Sequence, residues 1–198
     1  EDTRTNIGED LLTDVAVLAI GHSARDTFGL LNLSDIKMEP KPFAVGVRVE
    51  HPQDMIDESQ YGKNAPESLP AAAYKLTAKT KEGRGVYTFC MCPGGYVVNA
   101  SSEENRLAVN GMSYSGRNGK NANSAVIVTV SPEDFPEKGI LGGLAFQRQL
   151  EEAAFAEGQG KIPVQLFGDF KKNVPSSSAG AIAPQMKGAY SWGNVRSI

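Results

Sequence analysis

Apolar residues in this chain follow three rhythms. The first is a continuous run, "DVAVLAI" from Asp14 to Ile20, the spelling of a strand buried on both faces. Gly21 follows, then Ser23-Ala24-Arg25-Asp26, which has the Ser-x-x-acid form of a capping box. A helix from Ala24 to about Leu33 is expected, so this part spells strand, glycine turn, helix, which is half of an α/β unit.

The second rhythm is period two. "FAVGVRVEH", "YKLTAKT", "GVYTFCM", "GYVVNA", "RLAVNG" and "AVIVTV" are short β-rich runs separated by Gly, Pro, Asn and charged turns, the grammar of an antiparallel sheet or a small barrel. In the first of them Phe43, Val45, Val47 and Val49 fall on one face. "PQDMIDESQYG" interrupts the strands with one or two helical turns, Pro52 standing at their start.

The third rhythm is helical. "GGLAFQRQLEEAAFAEG" keeps Leu144, Leu150, Ala154 and Phe155 apolar while Arg148, Glu151 and Glu152 stay wet, and Gly158 is expected to end it. From Asn173 on, Ser, Gly, Ala and Pro predominate, and the segment needs a surface to lie on. The expected fold class is therefore α+β. A β-rich domain spans residues 41–170, with an antiparallel sheet or small barrel and one long helix. A strand-helix piece of an α/β domain precedes it at 1–40, and an irregular segment follows at 171–198.

Charge and composition narrow the partners. The 198 residues carry 20 Lys and Arg against 23 Asp and Glu, a net charge of -3, which gives no basic footprint for nucleic acid or an anionic membrane surface. No run approaches the roughly 20 apolar residues of a spanning helix. The start "EDTRTNIGED" lacks the regions of a secretory signal, and two cysteines do not make a disulfide scaffold. A cytoplasmic, reducing compartment is expected. Both ends look abrupt, as in a piece of a longer protein.

Those two cysteines, Cys90 and Cys92 in "FCMCPGGYVV", carry the sharpest chemical question. On a regular strand they share a face about 6.6 Å apart with parallel Cβ vectors, so a disulfide needs a bend at Met91, whereas Pro93-Gly94-Gly95 bends one residue late. Pocket-lining thiols, a functional thiol at Cys92 and a redox pair all remain open. Zinc lacks its usual ligand spacings, although His22 and His51 complete a formal set of four, and no metal is expected. Cys92 with His22 or His51 could form a nucleophile-base pair, the Gly94 and Gly95 amides serving an oxyanion.

Two further stretches weigh evenly between chemistry and plain structure. "IGHSARD" is either an ordinary strand-to-helix turn or a nest of backbone N–H groups suited to a phosphate or flavin edge. "NGMSYSGRNGKNANS" is either a long hairpin loop or a set of neutral donors for a polar ligand, with Arg117 as its fixed charge.

Several stretches together, "VLAIGHSARDTF", "KPFAVGVRVEHPQ", "LPAAAYKLT", "GRGVYTFCMCPGGYVVNASSE", "VNGMSYSGRNGKNANSAVIVTV" and "FQRQLEE", resemble the bacterial family described as uncharacterised FAD-dependent dehydrogenases, or NAD(P)/FAD-dependent oxidoreductases. The resemblance runs from about Asp14 to the end. It implies an FAD-binding domain interrupted by a β-rich insertion that covers the isoalloxazine, residues 41–170 being that substrate-side cap and 171–198 leading back. The family's Gly-x-Gly-x-x-Gly segment is missing here, which departs from the pattern and implies that this part alone does not hold FAD tightly and is inactive by itself.

On that resemblance Gly21, His22, Ser23 and Arg25 are the expected cofactor edge. Gln60, Tyr61, Tyr74, Arg117 and Asn121 are the expected substrate contacts, and Cys92 is the candidate for thiol chemistry at the flavin. The implied partners are the rest of the FAD domain, a small-molecule substrate, and NAD(P)H as a candidate electron donor. Two rivals stand beside this reading: a stand-alone module binding a small ligand or partner through the Asn/Ser/Gly loop, and a Cys-His hydrolase or transferase, which requires a lowered thiol pKa at Cys92.

Overall fold

Alternating valines build the central sheet. A computed structural model of the chain describes residues 13–66 and 68–198; the opening stretch "EDTRTNIGED" lies outside them. Helix α1 (Arg25–Leu33) comes first, then strand β1 (Phe43–Pro52), helix α2 (Gln53–Tyr61), and strands β2 (Thr77–Lys79), β3 (Gly85–Cys92), β4 (Tyr96–Asn99), β5 (Val109–Met112) and β6 (Asn121–Val130). Helix α3 (Gly142–Gly158), strand β7 (Ile162–Val164), helix α4 (Phe167–Lys172) and strands β8 (Met186–Lys187) and β9 (Tyr190–Trp192) complete the order. The fold is α+β.

The main sheet has the order β1-β6-β3-β2 and is antiparallel throughout. It is an open sheet rather than a barrel. Directly opposed residues share a face, so the registers sort its two sides. One side carries Phe43, Val45, Val47, Val49 and His51 with Val130, Val128, Val126, Ser124 and Ala122. Phe43 stacks on Phe135, with ring centroids 5.2 Å apart, and meets Phe146 of α3. Phe135 is itself buried.

The other side carries Ala44, Gly46, Arg48 and Glu50 opposite Thr129, Ile127, Ala125 and Asn123, with Tyr87 and Phe89 from β3 in the same rows. A smaller sheet, β5-β4-β8 with β8 parallel, reaches one end of it through Gly111. A Cβ on Gly111 would run into the Arg48 guanidinium, the Asn123 amide and Cys92 Sγ, so glycine is what lets β5 pass this closely. A parallel pair, β7-β9, binds the tail beside α3.

Two local expectations change. Residues 15–20 form no strand, and Val15, Val17 and Leu18 are 74%, 85% and 61% exposed. A strand buried on both faces needs neighbours on both sides, and the described residues provide none. The capping box is likewise not formed: the Ser23 carbonyl accepts from Arg25 N–H and the Asp26 carboxylate from Thr27 N–H, while the Ser23 side chain makes no cap bond to α1.

Candidate functional site

The first four residues of β6, Asn121-Ala-Asn-Ser124, are all buried, which is unusual for three polar side chains. Each therefore needs partners. Asn121 donates from Nδ2 to Glu50 Oε1 at 2.8 Å and to the Ala183 carbonyl at 2.9 Å. Ser124 Oγ donates to the Phe89 carbonyl at 3.3 Å. Asn123 is fully buried and accepts from Arg48 Nη1 at 2.7 Å, but its Nδ2 has no partner among the described residues.

Arg48 lies over this layer. It also donates to the Cys90 carbonyl at 3.1 Å and to Asn110 Oδ1 at 3.3 Å, so every acceptor it meets among the described residues is neutral. Glu50, two residues on, is held by Asn121 and by the Gln185 backbone N–H at 2.6 Å. Burial pushes its carboxyl above the usual range, and those two hydrogen bonds oppose the rise. Gln53, almost fully buried, accepts from Gly94 N–H at 2.7 Å and ties α2 to the Pro-Gly-Gly turn.

On the opposite side, His51 Nε2 lies 2.8 Å from the Tyr74 hydroxyl. Burial is the main influence on both: it lowers the histidine pKa and raises that of the phenol, where Ser124 and the Arg48 charge act in the opposite sense. Both shifts favour the uncharged forms, so the two groups share a neutral hydrogen bond.

The cysteines are resolved by a β-bulge between Phe89 and Cys92, where Cys90 takes a φ of 47°. The bend expected only from the following turn occurs inside the pair. It turns Cys90 outward and Cys92 inward, and both are free thiols. Cys92 lies beneath Gly111, its Sγ 3.4 Å from the Cys90 carbonyl. Burial pushes its thiol up, with the neighbouring Cys90 adding to the effect, so the lowered pKa that a Cys-His nucleophile requires is absent. Its hydrogen bond goes to the Cys90 carbonyl and those of His51 go to Tyr74 and Pro52.

The Pro-Gly-Gly turn is also occupied within the chain, the Gly94 N–H donating to Gln53 rather than standing free for an oxyanion. Gly94 has a φ of 49°, and a Cβ there would strike the Arg117 carbonyl; one on Gly95 would lie 2.6 Å from the Met112 carbonyl oxygen and 2.8 Å from Ser113 Oγ. The glycines admit the chain's own 112–119 segment.

The expected site residues do not converge. Gly21, His22 and Ser23 are exposed, whereas Arg25 is buried and donates to Glu151 at 2.6 Å and 2.9 Å, and to Glu103. That guanidinium is raised above its usual range by Glu151 first, and it anchors α1 rather than facing open space. Gln60 and Tyr61 end α2 on the surface, Tyr74 belongs to the His51 pair, Arg117 is exposed on a loop, and Asn121 is enclosed. Arg48, Glu50, Phe89, Asn110 and Asn123, which form or adjoin the buried polar layer, are not among the expected residues. The available signal was an arginine on the non-valine side of "FAVGVRV" and a polar "NANS" opening an apolar strand.

Two open hollows of about 470 Å³ and 430 Å³ lie elsewhere, one beside Pro40, Pro132 and Lys138, the other along β2 and β3. No described helix is long and apolar enough to cross a membrane.

Comparison with known proteins adds the family. The model of "FAD-dependent protein, C-terminal domain-like" matches residues 42–198. An uncharacterized protein of Clostridium beijerinckii is 49% identical over 193 residues, 96% of this chain and 36% of that protein. The chain thus spans about a third of the length of the curated relative it matches.

Proposed function

From a chain that belongs to the FAD-dependent protein, C-terminal domain-like family, we propose the substrate-side domain of a flavin-dependent oxidoreductase, a dehydrogenase in which residues 42–198 cover the isoalloxazine. The carrying observation is the match of the family model over that whole span.

The paired glycines do not make a dinucleotide cradle. The paired glycines that could approach a pyrophosphate are filled by protein: Cβ atoms on Gly94 and Gly95 would meet the 112–119 segment, and ones on Gly142 and Gly143 would meet Glu137 and the rings of Phe135 and Phe43. By contrast the Ala44, Gly46 and Ala125 side of the main sheet alternates these small residues with Ile127, Tyr87, Arg48 and Phe89, and Gly46 and Phe89 there are exposed. Bound FAD would supply the electron transfer. This chain would shape the space in front of it and hold a substrate there through Arg48. Exposed Gly21, His22 and Ser23 are the part proposed to approach the cofactor, and the rest of the FAD domain, NAD(P)H and a cytoplasmic setting complete the proposal.

The test is the visible absorption spectrum of the full-length parent protein beside that of this chain. Flavin bands in the parent and none in the chain are expected. A parent that stays colourless after incubation with FAD overturns the reading.

A further inference from the structure

The bulge in β3 brings two thiols together where a regular strand would hold them apart. In a regular strand, residues two apart stand about 6.6 Å from one another with parallel Cβ vectors. Here Cys90 and Met91 together face Ser124, and Cys90 takes a φ of 47°, which breaks that parallel arrangement. Both sulfurs then border the same two residues of β5. Cys90 Sγ lies 3.9 Å from Asn110 Oδ1, and a Cβ on Gly111 would lie 2.8 Å from Cys92 Sγ. Burial is the main reason that the Cys92 pKa is raised, and the Cys90 thiol comes next, through its charge and through a side-chain hydrogen bond. A hydrogen bond between two thiols requires them to be close neighbours.

The two thiols differ in ways that set an order of reaction. Cys90 is exposed and Cys92 is buried, so a molecule arriving from solvent meets Cys90 first. Cys92 has Cys90 beside it instead. It also has a fixed positive charge nearby: a Cβ on Gly111 would run into Arg48 Nη1 as well as Cys92 Sγ, and the guanidinium opposes the rise in the Cys92 pKa. Arg48 meets only neutral acceptors among the described residues, so its charge is left to favour a thiolate at Cys92.

We propose that Cys90 and Cys92 are a reversible dithiol–disulfide pair that exchanges with small-molecule disulfides of the glutathione class, Cys90 attacking and Cys92 resolving. The Cys90 thiolate, its proton lost to solvent, attacks one sulfur of the small disulfide. A bond forms from Cys90 Sγ to that sulfur, the original S–S bond breaks, and one small thiolate leaves and takes up a proton. Cys92 then loses its proton and attacks Cys90 Sγ, which releases the second small thiol. The protein is oxidised from dithiol to disulfide, and the small disulfide is reduced to its thiols. In a reducing compartment such a pair is transient rather than structural. The ring that closes contains the Cys90 carbonyl, which accepts from Arg48 at 3.1 Å, so the oxidation state reaches the buried polar layer. The pair does not depend on the flavoprotein reading.

The experiment is incubation of the full-length parent with oxidised glutathione, quenched with an alkylating agent at timed intervals, and mass spectrometry of the tryptic peptide Gly85–Arg106, which contains both cysteines. In wild type a glutathione adduct should rise and decay while a peptide with an internal disulfide accumulates, and dithiothreitol should restore both thiols. Cys92→Ser should stop at the adduct, carried on Cys90. Cys90→Ser should react about tenfold more slowly or less, because the thiol that remains is buried. A wild-type adduct that persists without an internal disulfide overturns the pair, and so does a folded parent in which neither cysteine reacts. Cys90→Ser that reacts as fast as wild type overturns the assigned order. The wild-type time course decides the pair even where a variant fails to fold. None of these outcomes alters the visible spectrum that tests the flavoprotein reading, so the two fail separately.

Discussion

Residues 13–41 and residues 42–198 differ in how they satisfy their own sequences. In the first region the most apolar run of the chain, Val15 to Ile20, is unpaired and mostly exposed, and α1 turns Leu30 and Leu33 to solvent at 62% and 81%. In the second, even awkward residues find partners: three buried polar side chains open β6, and glycines admit backbone at Gly94 and Gly111. Local pattern suffices for a strand only where neighbouring strands exist to pair with it.

The largest expected effect tests how tightly the second region is determined. Gly94→Ala forces a side chain at a φ of 49° into the Arg117 carbonyl, with the Gly119 N–H bond to the Gly94 carbonyl in the way of any shift. A loss of about 3 kcal/mol or more is expected, combining left-handed strain with a backbone collision. Chemical denaturation of wild type and variant measures it. A loss below about 1 kcal/mol would mean that the turn gives way, and that the region is looser than its packing implies.

Next in size is the tie between the regions. Arg25, its side chain 4% exposed, meets Glu103 and Glu151, and Arg148 and Arg106 extend the cluster. Removing one partner of a buried ion pair costs about 3–5 kcal/mol when the rest stays in place. Here α1 can swing away and wet the carboxylates, so Arg25→Ala should cost about 2 kcal/mol, paid locally. Hydrogen exchange should speed up at α1 amides and stay unchanged at β1 and β6. Equal acceleration in both would erase the distinction between the regions.

Much of the second region was legible in sequence because its determinants are local. Alternating valines gave β1 and β6, and Pro52 and Gly158 marked α2 and α3 near their observed ends. The site was less legible because it depends on register. Arg48, Ala125 and Phe89 meet only through the pairing of three strands, and the bulge at Cys90 has no strong local signature, since a non-glycine residue takes the positive φ. Arg25 was legible as a charged residue at a helix start but not as an anchor. Its partners Glu103 and Glu151 lie 78 and 126 positions away.

The smallest expected effect concerns the same tie under acid. Arg148 first, then Arg25, hold the Glu103 carboxyl down to about 2 from its ordinary 4.5. A carboxylate whose pKa is lowered by folding binds fewer protons in the folded state, so its contribution is complete above pH 4.5 and drains away as pH falls toward about 2. In Glu103→Gln that part of the acid sensitivity should vanish, leaving a shallower fall in stability across this window, followed by denaturation midpoints at stepped pH. Because the cluster holds α1, the difference should appear at α1 amides before it appears in the main sheet. A variant with the wild-type slope would show that Glu103 carries none of the acid sensitivity. The charge tie of the first region would then rest on the Arg25–Glu151 pair alone.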